Sequence, residues 1–307
     1  MDLDPRRLRI LRAVSLRGSI KDAAYLLNLT ASAVSQQLMQ LETEVGIALI
    51  DRTQRRVTLT AAGALLAQRA EHIEQELTEA ERDLSALTGL VSGSVTIMGF
   101  ETAIRFLLVP ACQILAKTHP DLHLHLVEKL DAAIALRELR TGGADLVITE
   151  QIVDNNPEPA PPDLEIRPLI DDEYKIVVPG SWALVPASIQ DLVAIPWIVS
   201  PPEFGCGKVF KHLTERYSFT PQCAHNCTEF NTILSLITAG LGAAVLPKLA
   251  LVEIDPGKIS FSTIPTMWSR RLNIVHRKPR FGPEPKVSAA VIAIDEAARK
   301  MGFATVS

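Results

Sequence analysis

A helix-length stretch combines a regular apolar stripe with small polar side chains. Val34, Leu38 and Leu41 recur at helical spacing and predict one buried face. The remaining positions are uncharged and short, and those of interest are Ala31, Ser32, Ser35, Gln36, Gln37 and Met39. Hydroxyl and amide groups of this size can enter the DNA major groove and bond to base edges. We expect these six residues to form a DNA contact. A solvated helix in an ordinary helical hairpin is the alternative.

Three arginines follow this stretch, in a segment that is typical of a two-stranded wing. They are Arg52, Arg55 and Arg56, within residues 51–60. Guanidinium groups at the tip of a wing contact phosphates or enter the minor groove. We therefore expect these arginines to contact the DNA backbone or minor groove. A charged loop facing water is the alternative.

Cysteine and histidine side chains are the other candidates for chemistry. Cys223, His225 and Cys227 match no common zinc-ligand spacing, and the alternation of a strand explains them. No nucleophile motif or paired acid–base set rises above chance. The sequence therefore predicts neither a metal or cofactor site nor an enzyme.

The elements that must position the polar helix form a helical hairpin. A first helix is predicted over residues 4–17, ended by Gly18. Ser19 can cap the second helix, with Asp22 three residues on as in a capping box. Thr30 or Ser32 can cap the third, which Gly46 would end.

A long helix is predicted from Thr60, its N-cap, to Leu87. Its apolar residues alternate at spacings of four and three without a slip, which is a heptad pattern. A lone helix gains little from so narrow a seam, so we expect a dimer. The seam residues are Leu66, Ala70, Ile73, Leu77, Ala80, Leu84 and Leu87. Docking of this helix on its own chain is the alternative.

Beyond a Gly- and Ser-containing linker, strands and helices alternate. Strands are predicted at residues 95–98, 122–127, 145–149, 165–170, 174–178, 197–200, 222–227, 241–247 and 271–276. Helices are predicted at residues 107–117, 131–140, 208–217, 229–239 and 286–300. This alternation indicates an α/β domain with a largely parallel sheet.

Composition and charge are consistent with a DNA-binding head on a different body. The 307 residues carry a net charge of −4, which alone argues against a nucleic-acid binder. The charge is uneven, because residues 1–60 hold nine basic and six acidic side chains, and the rest hold 22 and 29. We see no apolar leader and no membrane-length apolar run, so we expect a cytoplasmic protein without a membrane partner.

With these elements in order, the chain resembles the LysR-type transcriptional regulators over essentially its whole length. The resemblance is strongest in residues 23–27, 33–38, 59–63 and 239–247. Three positions depart from the family pattern: Ile20 replaces a common aromatic residue, Ala31 a frequent glutamine, and Met39 a frequent arginine or lysine. The last two leave fewer polar groups on the helix that is predicted to read DNA.

The resemblance implies several domains and several partners. Residues 1–60 would form a winged helix-turn-helix, residues 61–88 a dimerising linker helix, and residues 89–307 an effector domain. That domain would be similar to periplasmic binding proteins, with one lobe of about 91–167 plus 267–307 and another of about 168–266. The implied partners are double-stranded DNA, a small-molecule effector, a second copy of the chain in a dimer or tetramer, and RNA polymerase.

In two-lobed α/β domains, ligands lie at the carboxyl ends of strands. The corresponding residues here are Phe100, Glu101, Thr102, Thr149, Glu150, Ser200, Pro201, Phe204, Phe230 and Asn231. Glu101 and Glu150 would favour a ligand bearing an ammonium or guanidinium group. The alternative for Glu101 is to cap its own helix or to pair with Arg105, one turn on.

Two other functions are compatible with parts of the pattern. The α/β body could be a solute-binding protein or an enzyme with an accessory helical N-terminus. Cys206, between two glycines, could be a redox sensor as in some regulators of this family. A partner thiol at the spacing of those sensors is missing from the sequence.

Overall fold

The computed structural model describes residues 3–51, 57–88, 91–153, 161–278 and 283–303. The chain divides into two compact units. The first comprises residues 1–90 with 136–144 and 279–285, and the second comprises residues 91–135, 145–278 and 286–307.

The first unit begins with three short helices, each capped by a side chain. They are α1 (Pro5–Arg17), α2 (Ile20–Leu26) and α3 (Ala31–Val45). Ser19 Oγ accepts from the amide of Asp22, and Thr30 Oγ1 accepts from the amide of Ala33. Thr30 rather than Ser32 is therefore the cap of α3. Gly18 and Gly46 end α1 and α3 in the left-handed conformation, with φ of 63° and 74°.

Apolar side chains of these helices form one core with the start of the next helix. The stripe of Val34, Leu38 and Leu41 is fully buried, as predicted. Two short strands, β1 (Ile50–Asp51) and β2 (Thr58–Leu59), pair antiparallel and lead into α4 (Ala61–Thr88). The predicted cap of α4 is confirmed, since Thr60 Oγ1 accepts from the amide of Gly63 at 3.0 Å.

The second unit is an α/β domain. Its strands are β3 (Gly93–Gly99), β4 (Leu122–Glu128), β5 (Leu146–Ile152), β6 (Leu164–Pro179), β7 (Pro196–Val199), β8 (Gln222–Asn226), β9 (Ala244–Pro247), β10 (Ile259–Phe261) and β11 (Ser269–Arg277). Its helices are α5 (Glu101–Ala103), which continues through a π-helical turn (Ile104–Leu108) into α6 (Val109–Thr118), and α8 (Ile189–Ala194), α9 (Gly205–Tyr217), α10 (Phe230–Thr238) and α11 (Pro285–Lys300). Helix α7 (Ala132–Arg140) is shared between the two units.

The main sheet is mixed rather than largely parallel, which corrects the prediction. Its order is β10-β6-β11-β5-β3-β4, with β9 also pairing with β6. Strand β3 runs parallel to β4 and β5, whereas β11 runs antiparallel to both β5 and β6. The antiparallel pairs arise because β6 and β11 carry the chain in opposite directions through the sheet. Strands β7 and β8 form a separate parallel pair.

Two hydrophobic cores lie within this second unit. One gathers β3, β5, the helix after β3 and α11, and the other gathers the second half of β6, β7, α9, α10 and β9. Strand β6 contributes Leu169 and Ile170 to the first core and Tyr174 and Ile176 to the second. The domain therefore has two lobes, and β6 passes between them.

Candidate functional site

Most of the α3 residues that were expected to contact DNA face solvent. Ala31, Ser32, Gln36 and Met39 are exposed, and Ser35 is partly exposed. The hydroxyl groups of Ser32 and Thr30 lie 3.0 Å apart at the start of the helix. This leaves an uncharged surface of small side chains at the N-terminal half of α3.

Gln37 has a different role from its neighbours on α3. Its Oε1 accepts from Nε of Arg7 at 3.0 Å, and Arg7 also pairs with Glu44 near the end of the same helix. Both partners of Arg7 are partly buried. Gln37 thus holds α3 against α1, so its carbonyl oxygen is already engaged within the chain.

The chain after α3 is fixed to that helix by the side chain of Glu42. Glu42 Oε1 accepts from the amides of Leu49 and Ile50, at 2.8 and 3.1 Å. Thr60 Oγ1 donates to the carbonyl of Ala48. The base of the predicted wing is therefore anchored at both strands. Arg52, Arg55 and Arg56 lie outside the described residues.

Tyr25 was missed by the sequence analysis. It lies on α2 and is 87% exposed, the highest value among the large apolar and aromatic side chains of the described residues. The residues 23, 24 and 27 that identified the buried side of α2 gave no information about what its outer side carries. This exposed tyrosine gives the outer side of α2 a hydroxyl that can donate or accept a hydrogen bond.

The heptad seam of α4 is divided between two environments. Ala70 is buried, at 2% exposure, and Leu66 packs against the same core of the first unit. The core of their own chain covers Ala70 and partly covers Leu66, and their expected role in dimerisation stays a prediction. Ile73, Leu77, Ala80 and Leu84 are exposed. The side chain of Leu87 is outside the described ones.

At the predicted effector site, a buried arginine connects several of the expected residues. The guanidinium of Arg270, on β11, donates to Glu150 Oε2 at 2.6 Å and to Thr102 Oγ1 at 3.1 Å. It also lies 5.2 Å from the ring centroid of Phe100. The carboxyl ends of β3 and β5 therefore meet at one cation, as the strand-end argument predicted, although Arg270 was not among the residues expected there.

The same arginine is also held by a second carboxylate. Its Nε donates to Asp172 Oδ2 at 2.9 Å, and Asp172 Oδ1 accepts from the amide of Leu249. Asp172 is fully buried. Burial raises the pKa of this carboxyl, and the Arg270 charge opposes that rise. A fixed ion pair thus joins the two crossover strands, β6 and β11.

Cys206 lies beside this cluster. Burial raises the pKa of its thiol to about 12, with the nearby Arg270 charge acting in the opposite direction. A thiol reacts as its thiolate, so this environment disfavours the redox function considered for Cys206. Its neighbour Tyr174 is also buried, which raises the pKa of its phenol.

A second polar cluster connects the two lobes. Arg105, in the π-helical turn, donates to Glu101 at 3.2 Å and contacts Glu253 of the second lobe. Asn231, at the start of α10, donates to Glu101 Oε1 at 3.0 Å. Pairing of Glu101 with Arg105 is therefore confirmed. Both carboxylates that were expected to favour a basic ligand, Glu101 and Glu150, are already paired with arginines.

The other expected effector residues are less closely associated with Arg270. Ser200 Oγ donates to the carbonyl of Cys227, and Pro201 accepts from the amide of Phe204, a half-exposed residue before α9. Phe230 packs on the second core. Thr149 lies opposite Asn273 in the sheet. The geometry thus separates a group at Arg270, a group at Arg105, and peripheral residues.

Two general features of the described residues bear on function. No three histidine, cysteine or acidic side chains lie together there as metal ligands would. Within those residues, no helix has the length and apolar character needed to cross a membrane.

Comparison with known families agrees with this organisation. Residues 5–64 match the bacterial regulatory helix-turn-helix family of the LysR type, and residues 88–298 match the LysR substrate binding domain. The second match alone covers more than half of the chain. The chain belongs to the LysR family of transcriptional regulators. It is a sequence-specific DNA-binding regulator with an effector-binding domain.

Curated relatives of this LysR-family regulator align along most of its length. An uncharacterised HTH-type transcriptional regulator, YfeR of Shigella flexneri, is 26% identical, and the alignment covers 99% of this chain and 96% of that protein. The HTH-type transcriptional regulator ShiR of Corynebacterium glutamicum is 29% identical, with 76% and 79% covered. Relatives of this family are named as regulators rather than as enzymes.

Solved structures share the fold of the regulator. Full-length CbnR complexed with its target DNA is 20% identical, covers 96% of this chain and 100% of that one, and has a TM-score of 0.62. A full-length OxyR variant of Pseudomonas aeruginosa is 19% identical, covers 97% and 95%, and has a TM-score of 0.65. At this level of identity, the likeness concerns the fold alone.

Proposed function

We propose that the exposed surface of α3 reads base edges in the major groove. Ser32, Ser35 and Gln36 supply the hydrogen-bonding groups, and Ala31 and Met39 supply apolar contacts, such as to thymine methyl groups. Arg52, Arg55 and Arg56 would contact phosphates or the minor groove. The observation that carries this proposal is that the outward face of α3 is small and uncharged, while Arg7 and Gln37 hold the helix in place.

We further infer how the chain assembles, where its domains divide and which partners it has. The exposed apolar residues of α4 pair with the same helix of a second copy, and two dimers form a tetramer. The proposed boundaries are residues 1–60 for DNA binding, 61–88 for the linker helix and 89–307 for the effector domain. The protein acts in the cytoplasm through DNA, an effector and RNA polymerase, without catalysis of its own.

We propose that the effector binds in the cleft between the two cores, next to Arg270. The support is that Arg270 contacts residues of two segments, Phe100 and Thr102 after β3 and Glu150 in β5. An effector at this point would touch residues of both lobes, since Gly205 of α9 lies against Glu150. Its binding could then change the orientation of one lobe relative to the other.

A mobility-shift assay with the full-length protein tests the DNA-binding proposal. The probe is the DNA upstream of its own gene, and an unrelated fragment of equal length serves as control. We expect a shift of the upstream fragment that weakens steeply with salt, because phosphate contacts release counterions. Equal affinity for both fragments at every salt concentration would contradict the proposal.

A further inference from the structure

The ion pairs of Arg270 differ in how firmly they are held. Its guanidinium contacts two carboxylates, Asp172 and Glu150. The Asp172 side chain is completely buried and also accepts from the amide of Leu249, whereas the Glu150 side chain is 35% exposed. Asp172 therefore has no route to water, but Glu150 has one.

Charge balance allows Glu150 to leave Arg270. Arg270 and Asp172 form a neutral pair by themselves, so removing the Glu150 carboxylate leaves no uncompensated charge buried. Thr102 Oγ1 still accepts from the same guanidinium at 3.1 Å. One donor of Arg270 would then lack its acceptor, and an unsatisfied buried donor is costly. A second anion in place of Glu150 would remove that cost.

The position of the Glu150 carboxylate also has the surroundings of a ligand site. It lies between the two lobes, with Arg270 on one side and Gly205, the first residue of α9, on the other. A Cβ atom at Gly205 would lie 3.3 Å from Glu150 Oε1 and 2.5 Å from the Tyr174 hydroxyl. A side chain here would clash with the phenol and press tightly against the carboxylate, so glycine suits this close approach.

From these observations we propose that Glu150 is a built-in substitute for the effector. Its carboxylate occupies the position on Arg270 that a carboxylate of the effector takes when Glu150 turns out to solvent. The effector is then a small carboxylic acid or another oxyanion, not the basic compound that the two glutamates suggested. This inference rests on the proposal that the cleft binds the effector.

Chemical rescue of a Glu150→Ala variant tests the exchange directly. Thermal unfolding of the full-length variant is followed in sodium formate, sodium acetate and sodium phosphate, each against sodium chloride of equal ionic strength. We expect formate or acetate to raise the Tm selectively, because a ligand that binds only the folded state stabilises it by mass action. Stronger selective stabilisation by phosphate would identify an oxyanion other than carboxylate as the ligand type.

Matched controls separate this site from general salt effects. Glu101→Ala also removes a carboxylate from an arginine, but Arg105 is exposed enough to bond to water, so formate should not stabilise that variant selectively. The wild type should bind formate at least about tenfold more weakly than Glu150→Ala. A tenfold difference in affinity corresponds to the free energy of about one charge-assisted hydrogen bond. If Glu150→Ala does not fold, Glu150→Ser is used, since its hydroxyl is small and polar.

The proposal is overturned by two results. One is that neither formate, acetate nor phosphate stabilises the Glu150 variants beyond chloride. The other is that calorimetry on the wild type finds binding of amines or guanidines but of no acid. Neither readout depends on DNA, so a failure here is distinguishable from a failure to bind operator DNA or to respond to an effector.

Discussion

Among single residues of the α3 surface that we propose reads DNA, Gln36 has the side chain best suited to distinguish base pairs. It is exposed, lies in the N-terminal half of α3, and carries both a donor and an acceptor. We expect Gln36→Ala to lose about 1–3 kcal/mol of binding to the operator, because a bidentate contact to adenine would be removed. Titration of operator and unrelated DNA in parallel measures this loss.

Gln40 offers a matched control for this experiment. It is an exposed glutamine on the same helix, but its amide donates to Glu44 at 3.3 Å and lies one turn nearer the C-terminus. Gln40→Ala should keep the specificity of the wild type. Wild-type discrimination by Gln36→Ala would show that α3 reads bases through other residues.

The environment of Cys206 predicts an unreactive thiol. Its pKa is raised by burial from 9.0 to about 12, so the folded protein holds the thiol protonated. Because the pKa is higher in the folded than in the unfolded chain, the stability that this group contributes is lost as pH rises from about 9 towards 12. At neutral pH we expect iodoacetamide to label exposed Cys223 in the native protein and Cys206 only after unfolding, as mass spectrometry would show.

A Cys223→Ser variant checks the assignment of the native adduct. The substitution should remove the label that Cys223 takes up in the native protein and leave the labelling of Cys206 after unfolding unchanged. If peroxide or iodoacetamide modified Cys206 in the native protein at neutral pH, the redox-sensing alternative would regain support.

At the level of elements, Gly63 shows how the first unit joins the wing to the long helix. A Cβ at this position would lie 2.0 Å from the carbonyl oxygen of Leu49, which accepts from the amide of Thr60. Helix propensity alone predicts that Gly→Ala within a helix gains about 1 kcal/mol. We expect the opposite sign for Gly63→Ala, a loss of about 1–3 kcal/mol from the backbone clash.

Hydrogen exchange of the first unit in the full-length protein measures this effect. The matched control is Ala64→Gly, an exposed position on the same helix, which should cost about 0.5–1 kcal/mol from propensity. Stronger protection in Gly63→Ala than in the wild type would contradict the close approach of the two segments.

Most elements could be predicted from the sequence because the period of their apolar residues is clear. The prediction was wrong where charged residues or a change of helical period interrupt that pattern. Strands predicted at 165–170 and 174–178 are one strand, β6. The intervening Asp171 and Asp172 indicated a break, yet they pair in register with Arg271 and Arg270 of β11. The helix after β3 begins at Glu101 rather than Leu107, since the π-helical turn shifts its apolar positions out of phase.

The candidate site could be located from the sequence, but its chemistry could not. Strand ends gave Phe100, Thr102 and Glu150, because topology brings such ends together. The partner of all three, Arg270, precedes the segment that was recognised as a strand. Its charge is stabilised by Asp172, which is 98 residues away in sequence. Long-range pairs of this kind leave no local pattern, apart from the complementary Asp-Asp and Arg-Arg doublets.

For the whole molecule, the exposed part of the α4 seam is the feature that needs a partner. Leu77 is 53% exposed and Leu84 is 64% exposed, and both lie in the heptad rows beyond the part of α4 that packs on its own core. Apolar side chains repeated along one side of a long helix are covered by a second helix in coiled coils. A symmetric pair of α4 helices would bury them.

This arrangement predicts the effect of a single charge on assembly. Leu77→Glu places a carboxylate in the seam, so we expect dissociation to monomers at concentrations where the wild type is a dimer or tetramer. Leu65→Glu is the matched control, because Leu65 is 58% exposed on the same helix but lies outside the seam. Light scattering gives the mass of each variant.

DNA binding should weaken by about 10²–10⁴-fold in Leu77→Glu, since monomers lose the effective concentration of a second half-site contact. Wild-type mass for Leu77→Glu, or dissociation by Leu65→Glu alone, would assign the interface to a different side of α4.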